Sequence, residues 1–430
     1  MSSRIRELLR ATLPNRLRSR IRYLLEPPPI ETVVLRDYRF MPEAEERPRL
    51  SLVIPSLSRA EAFGGVLTAV DLLDALGAAL AARGVRADLR AVCEEPHNPR
   101  DSVVSGPRAP AVHALRPAGW TLPTRRREIF IAFNFWIRIN LEPVLAQQAQ
   151  TFPGANWPLL YLFQEYEPGF FPFSPAHMIA REAAEDGPMP LWIIINSQEL
   201  AAYWRQLGHR ASRVFILEPR MSPKLRAFLA GLGPADKDRI LLLYGRPGFK
   251  RNCFTILIEG LRRWAADTRA AGDWRIVSAG VRHRTVPLAG GRRIESVGKL
   301  GLEAYGALLR QSAVGVALMA SPHPSYPPLE MAHFGIRTIT NRFPPKDPAA
   351  RHANLLPLPR MRGADLARLL EETMLAFEAD PGIGLAAPSF MPDYLSDRPS
   401  DCVADLADGI HELLSGRQGL PTGAAAAAAG

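Results

Sequence analysis

Two successive series of alternating strands and helices constrain the fold of this chain more than any other feature. The strand-like segments of the first series lie at 50–55, 85–92, 128–135, 159–163 and 191–195. Those of the second series lie at 239–244, 274–279, 293–297, 314–319 and 338–341. Alternation of this kind gives a parallel sheet with helices on both faces. The sequence therefore predicts an α/β protein with two Rossmann-like, doubly wound domains.

The same pattern divides the 430 residues into five parts. These are a basic amphipathic extension (1–47), a first Rossmann-like domain (48–220), a second Rossmann-like domain (221–385), closing helices (386–418) and a low-complexity tail (419–430). Ligands of doubly wound sheets bind at the carboxyl ends of the strands. We therefore expect the functional site in the cleft between the two domains, on loops that follow strands.

The formal net charge of +10 is concentrated at the N-terminus. Residues 1–26 carry seven arginines against Glu7 and Glu26, a net of +5, with apolar residues at helical spacing between them. Such a segment lies on an anionic membrane surface or packs on the protein itself, and the sequence leaves both open. Because no zinc-finger, RNA-binding or helix-turn-helix pattern accompanies the charge, we expect no nucleic-acid partner.

The three cysteines, Cys93, Cys253 and Cys402, are far apart and match neither a disulfide framework nor a metal-ligand spacing. This usage fits a reducing compartment. No run reaches the roughly 18 apolar residues of a membrane span, and no signal-peptide pattern begins the chain. We therefore expect a cytoplasmic protein, with peripheral membrane contact through residues 1–26 as the open question.

The strongest candidate site is a basic loop in the second domain. Residues 244–252 read Y-G-R-P-G-F-K-R-N and lie between a strand and a helix. Gly245 permits close approach of a ligand, and three cations fall within six residues. A diphosphate requires fixed positive charge, and arginine can bind two of its oxygens at once. A solvated basic loop has the same composition, so the pattern needs support from elsewhere.

Two later segments supply that support. Lys299 follows the strand at 293–297 and adds a further cation. Residues 321–332 read S-P-H-P-S-Y-P-P-L-E-M-A, in which the prolines predict that a helix begins near Tyr326 or Pro327. Helix N-termini attract phosphate. Glu330, one turn into this helix, is placed to accept hydrogen bonds from ribose hydroxyls, or it serves only the helix dipole.

The first domain offers two strand-end loops. Gly64 and Gly65 follow the first strand, where a glycine pair lets backbone amides approach a phosphate or serves as a turn and packing pair. Glu165, Tyr166 and Glu167 follow the strand at 159–163 and precede three phenylalanines. Carboxylates with aromatics suit sugar hydroxyls and sugar faces, although the phenylalanines can equally cover an apolar edge.

In combination these motifs resemble the donor domain of retaining GT-B glycosyltransferases of family GT4. The order is Gly-Arg-Pro with Arg251 five residues after Arg246, then Gly298-Lys299, then Pro-Pro-Leu-Glu-Met-Ala. The chain is most similar to the WsaF-type rhamnosyltransferases, whose hallmark runs look like residues 161–168 and 321–332 here. The resemblance extends from about residue 48 to about residue 385.

The resemblance implies a GT-B fold with an acceptor-side first domain and a nucleotide-sugar-binding second domain. It implies that Arg246, Lys299 and Arg251 hold the diphosphate, with Arg246 and Lys299 as the catalytic cations, and that Tyr326 and Glu330 lie at the nucleoside end. From the residues themselves we add Gly245, Ser325, Gly64 and Gly65 to the donor side and Glu165, Tyr166 and Glu167 to the acceptor side. The implied donor is dTDP-L-rhamnose, transferred with retention onto a glycan or lipid-linked saccharide in surface polysaccharide synthesis, with no cofactor beyond the nucleotide sugar.

One position departs from the GT4 pattern. Most members have a glutamate eight residues before the helix glutamate, and that position is Pro322 here. The usual carboxylate contact to the donor sugar is therefore missing, which keeps a non-catalytic nucleotide-sugar or glycan binding protein as the alternative. The run Asp236-Lys237-Asp238 looks like a metal-binding D-x-D motif, but it precedes a strand. We expect it to be a solvated turn and expect no catalytic metal.

Overall fold

A computed structural model describes residues 35–59, 64–95, 99–104, 109–115, 119–269 and 274–415. The predicted helices within residues 1–26 and the tail at 419–430 lie outside the described residues. Both sheets lie in one compact unit that begins at Arg36.

The strands of the first domain are β1 (Arg39–Glu43), β2 (Arg49–Ile54), β3 (Asp88–Cys93), β4 (Ala111–Ala114), β5 (Thr121–Arg125), β6 (Glu128–Ala132), β7 (Leu159–Phe163), β8 (Leu191–Ile195) and β9 (Arg213–Ile216). Seven of them form a parallel sheet in the spatial order β4-β3-β2-β6-β7-β8-β9, and β1 and β5 form a separate parallel pair. The helices of this domain are α1 (Gly64–Ala82), α2 (Phe135–Thr151), α3 (Pro175–Glu182) and α4 (Gln198–Gln206). The strand order reverses between β2 and β6, which places a topological switch point at their carboxyl ends.

The strands of the second domain are β10 (Ile240–Gly245), β11 (Arg275–Gly280), β12 (Val286–Pro287), β13 (Arg293–Gly298), β14 (Val314–Val316), β15 (Arg337–Asn341) and β16 (Leu355–Leu358). They form one sheet in the order β12-β13-β11-β10-β14-β15-β16, in which only β12 is antiparallel. The helices from residue 223 onwards are α5 (Pro223–Arg226), α6 (Phe254–Asp267), α7 (Leu302–Gln311), α8 (Tyr326–His333), α9 (Gly363–Ala379) and α10 (Asp401–Leu414). The prediction of two doubly wound α/β domains is confirmed.

The last helix returns to the first domain. Val403, Leu406 and Ile410 of α10 are buried in the same apolar cluster as α1 and the first sheet. Gly409 is required here, because a Cβ at this position would lie 2.9 Å from the ring of Trp192. The described part of the chain therefore begins and ends in the first domain, and the second domain is connected to the first at both of its ends.

Helix α1 is long and apolar enough to cross a membrane by length and composition alone. Its buried side chains, Ala69, Leu72, Leu73, Leu76 and Leu80, belong to the core of the first domain. They pack against β-strands through ordinary apolar burial. We therefore interpret α1 as a core helix of a doubly wound domain.

A buried ionic network closes the amino-terminal edge of the first sheet. Glu128 is fully buried, and its carboxylate accepts hydrogen bonds from Arg49 at 2.7 and 3.0 Å and also pairs with Arg90. Arg49 also pairs with Glu43 of β1, so the network includes a strand from the range assigned to the N-terminal extension. Burial lowers the pKa of Arg90 to about 10, opposed by Glu128.

The expectation of a solvated turn at Asp236-Lys237-Asp238 is wrong for its central residue. Lys237 is buried, and its Nζ donates hydrogen bonds to the carbonyl oxygens of Leu309, Ser312 and Phe334 at 2.7–3.2 Å. These carbonyls follow or end helices, where acceptors lack intrahelical partners. Burial lowers the pKa of Lys237 to about 7. The lysine therefore fastens the start of β10 to its neighbours.

Candidate functional site

Two arginines lie at the carboxyl end of the central strand β10. The guanidinium carbon of Arg246 is 3.8 Å from the ring centroid of Phe249, and that of Arg251 is 4.3 Å from the ring of Phe170 in the first domain. Stacking on aromatic faces holds guanidinium groups in fixed positions. Burial lowers the pKa of Arg251, and nearby Glu165 opposes this shift. The loop thus presents oriented cations at the cleft.

Gly245 has a packing role within the sheet. A Cβ at this residue would lie 2.0 Å from Ser278 Oγ of the neighbouring strand β11. The glycine is therefore required by its neighbour, whatever ligand the loop binds. Its predicted contact with the donor stays a prediction.

Lys299 reaches across to the first domain. It follows β13, and its Nζ donates a hydrogen bond to the carbonyl oxygen of Arg59 at 2.6 Å. Burial lowers the pKa of Lys299. The Lys299 cation therefore lies between the two domains. It is at the carboxyl edge of the second sheet, as Arg246 is, because both residues follow parallel strands.

Helix α8 begins at Tyr326, as predicted. The Tyr326 hydroxyl is 2.9 Å from Thr68 Oγ1 of α1 and accepts a hydrogen bond from Asn196 Nδ2 at 2.8 Å. A Cβ on Gly64 would lie 3.3 Å from the Tyr326 ring. The Tyr326 ring at the start of α8 therefore packs against the start of α1. This contact brings together two helix N-termini, which are able to bind an anion.

Ser325 and Glu330 flank this aromatic ring along the chain. Ser325 has a φ of +71°, a conformation uncommon outside glycine that concentrates at functional sites. Glu330 Oε2 accepts a hydrogen bond from the Tyr305 hydroxyl at 2.7 Å. Burial raises the pKa of Glu330, and the Tyr305 bond opposes the shift. Tyr305 therefore fixes the carboxyl group that is predicted to bind ribose.

The predicted acceptor-side residues have three different surroundings. Glu165 reaches Ser321 of the second domain, whose hydroxyl donates to its Oε2. Glu167 Oε2 accepts hydrogen bonds from the Phe135 amide and the Tyr161 hydroxyl, both at 2.7 Å. Burial raises the pKa of Glu167 to about 8, which makes it largely neutral at pH 7.

Tyr166 and Gly65 pack within the first domain. The Tyr166 ring meets Tyr203 edge-on at 5.1 Å, and its hydroxyl lies 3.4 Å from His209 Nε2. A Cβ on Gly65 would lie 2.9 Å from Gln164 Oε1. Their predicted roles toward acceptor and donor stay predictions.

The structure thus brings five predicted residues into contacts across the cleft: Arg251, Lys299, Tyr326, Gly64 and Glu165. Sequence reasoning missed Thr68 and Asn196, which contact the Tyr326 hydroxyl, and Lys346, whose charge acts on Glu165. Asn196 directly follows β8, so its position at the carboxyl end of a strand is a signal that the sequence offers. Thr68 and Lys346 carry no such signal, because only the tertiary arrangement brings them to the cleft.

The sequence comparisons identify a family. The model of the WsaF N-terminal domain matches residues 49–198, and that of the WsaF C-terminal domain matches residues 239–371, together about two thirds of the chain. The curated O-antigen biosynthesis protein RfbC of Myxococcus xanthus is 30% identical over 191 residues, 43% of this chain. The match spans only 14% of that longer protein.

The structural comparisons identify the fold. Sucrose-phosphate synthase from Thermosynechococcus elongatus has a TM-score of 0.53 at 17% identity, covering 86% of this chain and 98% of that one. Trehalose 6-phosphate synthase from Burkholderia multivorans has a TM-score of 0.51 at 10% identity, covering 86% and 99%. At such identities the likeness concerns the fold alone, which is GT-B, as predicted.

Proposed function

Because this chain belongs to the WsaF family and has the GT-B glycosyltransferase fold, we propose that it transfers L-rhamnose from dTDP-L-rhamnose to a glycan or lipid-linked saccharide. The observation that carries the proposal is the pair of aromatic-stacked arginines after β10, together with a lysine after β13 that reaches the first domain. A diphosphate is the ligand chemistry that matches three such cations.

The proposed donor follows from motif resemblance. Residues 161–168 and 321–332 are similar to the hallmark runs of rhamnosyltransferases, and the relative from Myxococcus xanthus is named for O-antigen biosynthesis. We extend both to this chain as surface polysaccharide synthesis. We also propose a cytoplasmic location with the donor supplied there as a soluble nucleotide sugar. Contact of residues 1–26 with an anionic membrane is part of the same proposal.

The proposed chemistry is front-face transfer with retention. The bond between the sugar C1 and the diphosphate oxygen breaks, a bond from the acceptor hydroxyl oxygen to C1 forms on the same face, and the hydroxyl proton passes to the departing diphosphate. Arg246, Arg251 and Lys299 stabilise the negative charge that develops on the leaving group. Cations already in place before the reaction contribute strongly to such steps. They supply the charge without a metal.

A non-catalytic nucleotide-sugar or glycan binding protein is the second candidate. Pro322 favours it, because a proline stands where most GT4 members have a glutamate. Such a protein binds the nucleotide sugar but leaves its C1–oxygen bond intact.

A turnover experiment separates the two candidates. The protein is incubated with dTDP-L-rhamnose and a panel of mono- and disaccharides carrying alkyl or lipid-diphosphate aglycones, and released dTDP and glycosylated product are measured. We expect acceptor-dependent dTDP release and a product whose rhamnose C1 has the same anomeric configuration as in the donor, as read by NMR. Binding without product from any acceptor favours the second candidate, and an inverted product refutes the mechanism.

A further inference from the structure

Glu165 connects the first domain to the loop that precedes helix α8. Its carboxylate oxygen Oε2 accepts the hydrogen bond of the Ser321 hydroxyl, while Oε1 lies 3.8 Å from His323 Nδ1. The side chain is only 16% exposed. Burial raises the pKa of Glu165, and the Ser321 bond and the charges of Arg251 and Lys346 oppose the shift. A carboxylate so placed lies near Arg251, one of the cations proposed for the diphosphate.

His323 does not satisfy Glu165 Oε1. Its Nδ1 already accepts the amide hydrogen bond of Ser325 at 3.0 Å, so the ring proton lies on Nε2. Burial lowers the pKa of His323 to about 3, which keeps the ring uncharged. A carboxylate oxygen facing an unprotonated nitrogen forms no hydrogen bond. Among the described residues, no hydrogen bond reaches Glu165 Oε1.

His323 itself has an unused donor. The residue is 3% exposed, and within the described part of the chain Nε2 has no hydrogen-bond partner. Buried polar groups are normally paired, so each exception points to a missing partner. The loop at 321–325 therefore adjoins one unused acceptor, Glu165 Oε1, and carries one unused donor, His323 Nε2–H. A neutral group bearing adjacent hydroxyls satisfies both.

We propose that Glu165 and His323 bind hydroxyl groups of the donor sugar, so that the first domain contributes the carboxylate that Pro322 does not supply. This inference rests on the proposed function, because the sugar reaches this loop only when its diphosphate lies on Arg246 and Arg251. It makes Glu165 a donor-specificity residue, where the sequence predicted an acceptor-side role. A negative carboxylate next to a diphosphate weakens nucleotide binding unless sugar hydroxyls compensate, which gives the role a distinct signature.

The test compares binding of dTDP with that of dTDP-L-rhamnose, and of UDP with UDP-glucose, by calorimetry on the full chain. Glu165→Gln preserves the shape and removes the charge. We expect it to weaken binding of the nucleotide sugar about tenfold, while the nucleotide alone binds with unchanged or higher affinity because a negative charge beside the diphosphate is removed. His323→Asn keeps an acceptor for the Ser325 amide, removes Nε2–H, and is expected to give the same selective loss.

Ser321→Ala is the matched control, since it removes the hydrogen bond to Glu165 and the acceptor of the His323 amide but leaves the Glu165 and His323 side chains in place. We expect it to keep the wild-type ratio of nucleotide-sugar to nucleotide affinity. Thermal unfolding of each variant monitors the fold. An equal loss for nucleotide and nucleotide sugar in Glu165→Gln, or a gain for both, overturns the inference. Binding of neither ligand by the wild type overturns the proposed function itself, and a wild-type preference for the UDP pair overturns only rhamnose.

Discussion

Arg246→Ala tests the proposed diphosphate site most sharply. Arg246 is 8% exposed and its guanidinium carbon lies 3.8 Å from the Phe249 ring centroid, so water does not readily replace the group and its orientation is fixed. A hydrogen bond to a charged group contributes about 1.5–3 kcal/mol, and arginine can form two to a diphosphate. We expect a loss of about 3–4 kcal/mol, or roughly 150- to 800-fold in kcat/KM.

The assay is the rate of acceptor-dependent dTDP release from dTDP-L-rhamnose. Arg246→Lys retains the charge but not the planar, two-pronged donor, and we expect an intermediate loss of about tenfold. Arg293→Ala is the matched control: this arginine begins β13 at the opposite edge of the sheet, and its side chain is 68% exposed. Its exposed pairing with Glu295 contributes little, so we expect kcat/KM within about twofold of wild type.

Lys299→Ala belongs to the same series. We expect it to keep the fold and to lower kcat/KM about 10- to 100-fold, because a single point charge at the diphosphate is removed. Folded Arg246→Ala and Lys299→Ala variants that both turn over at near-normal rates would refute the phosphate assignment.

Three further predictions concern the cleft and the core. Tyr326→Phe keeps the ring against Gly64 but leaves Asn196 without its acceptor, and we expect a loss of about 1–2 kcal/mol in unfolding free energy, measured with urea, together with weaker nucleotide binding. Glu167 has a pKa raised from 4.5 to about 8, so its stabilising contribution is complete below about pH 4.5 and is lost as pH rises to 8. Glu167→Gln should therefore flatten the fall in stability between these pH values, and an unchanged slope contradicts a neutral Glu167. Glu128→Ala leaves two buried arginines without their carboxylate, and we expect a loss of about 3–5 kcal/mol by denaturant titration, with a loss below 1 kcal/mol arguing against a strongly coupled network.

The strands that the sequence predicts at their observed bounds are the buried ones. Leu159–Phe163 and Leu191–Ile195 are uninterrupted apolar runs buried on both faces, as parallel strands require. The strands β1, β4, β5, β12 and β16 are missed, and all but β4 contain a proline, Pro42, Pro123, Pro287 or Pro357. Proline is tolerated at sheet edges but argues against a strand when only the sequence is read.

The residues of the candidate site also fall into those that the sequence points to and those that it does not. The sequence proposes Arg246, Lys299 and Glu165 because they follow strands, and parallel strands bring their carboxyl ends to one edge; their roles stay predictions. The contacts that orient them are not found, because Phe170 and Ser321 come from loops of the opposite domain. The burial of Lys237 is missed for a related reason: its three carbonyl partners are 72 to 97 residues away.

Calorimetric titration with dTDP, UDP, GDP and ADP, and then with dTDP-L-rhamnose and UDP-glucose, tests the central claim most directly. The account predicts selective binding of dTDP and dTDP-L-rhamnose by the wild-type protein, and loss of that binding in Arg246→Ala. Preference for UDP or GDP retains a nucleotide-sugar site and contradicts rhamnose. Binding that survives in Arg246→Ala, or no binding of any nucleotide, contradicts a donor site at the end of β10.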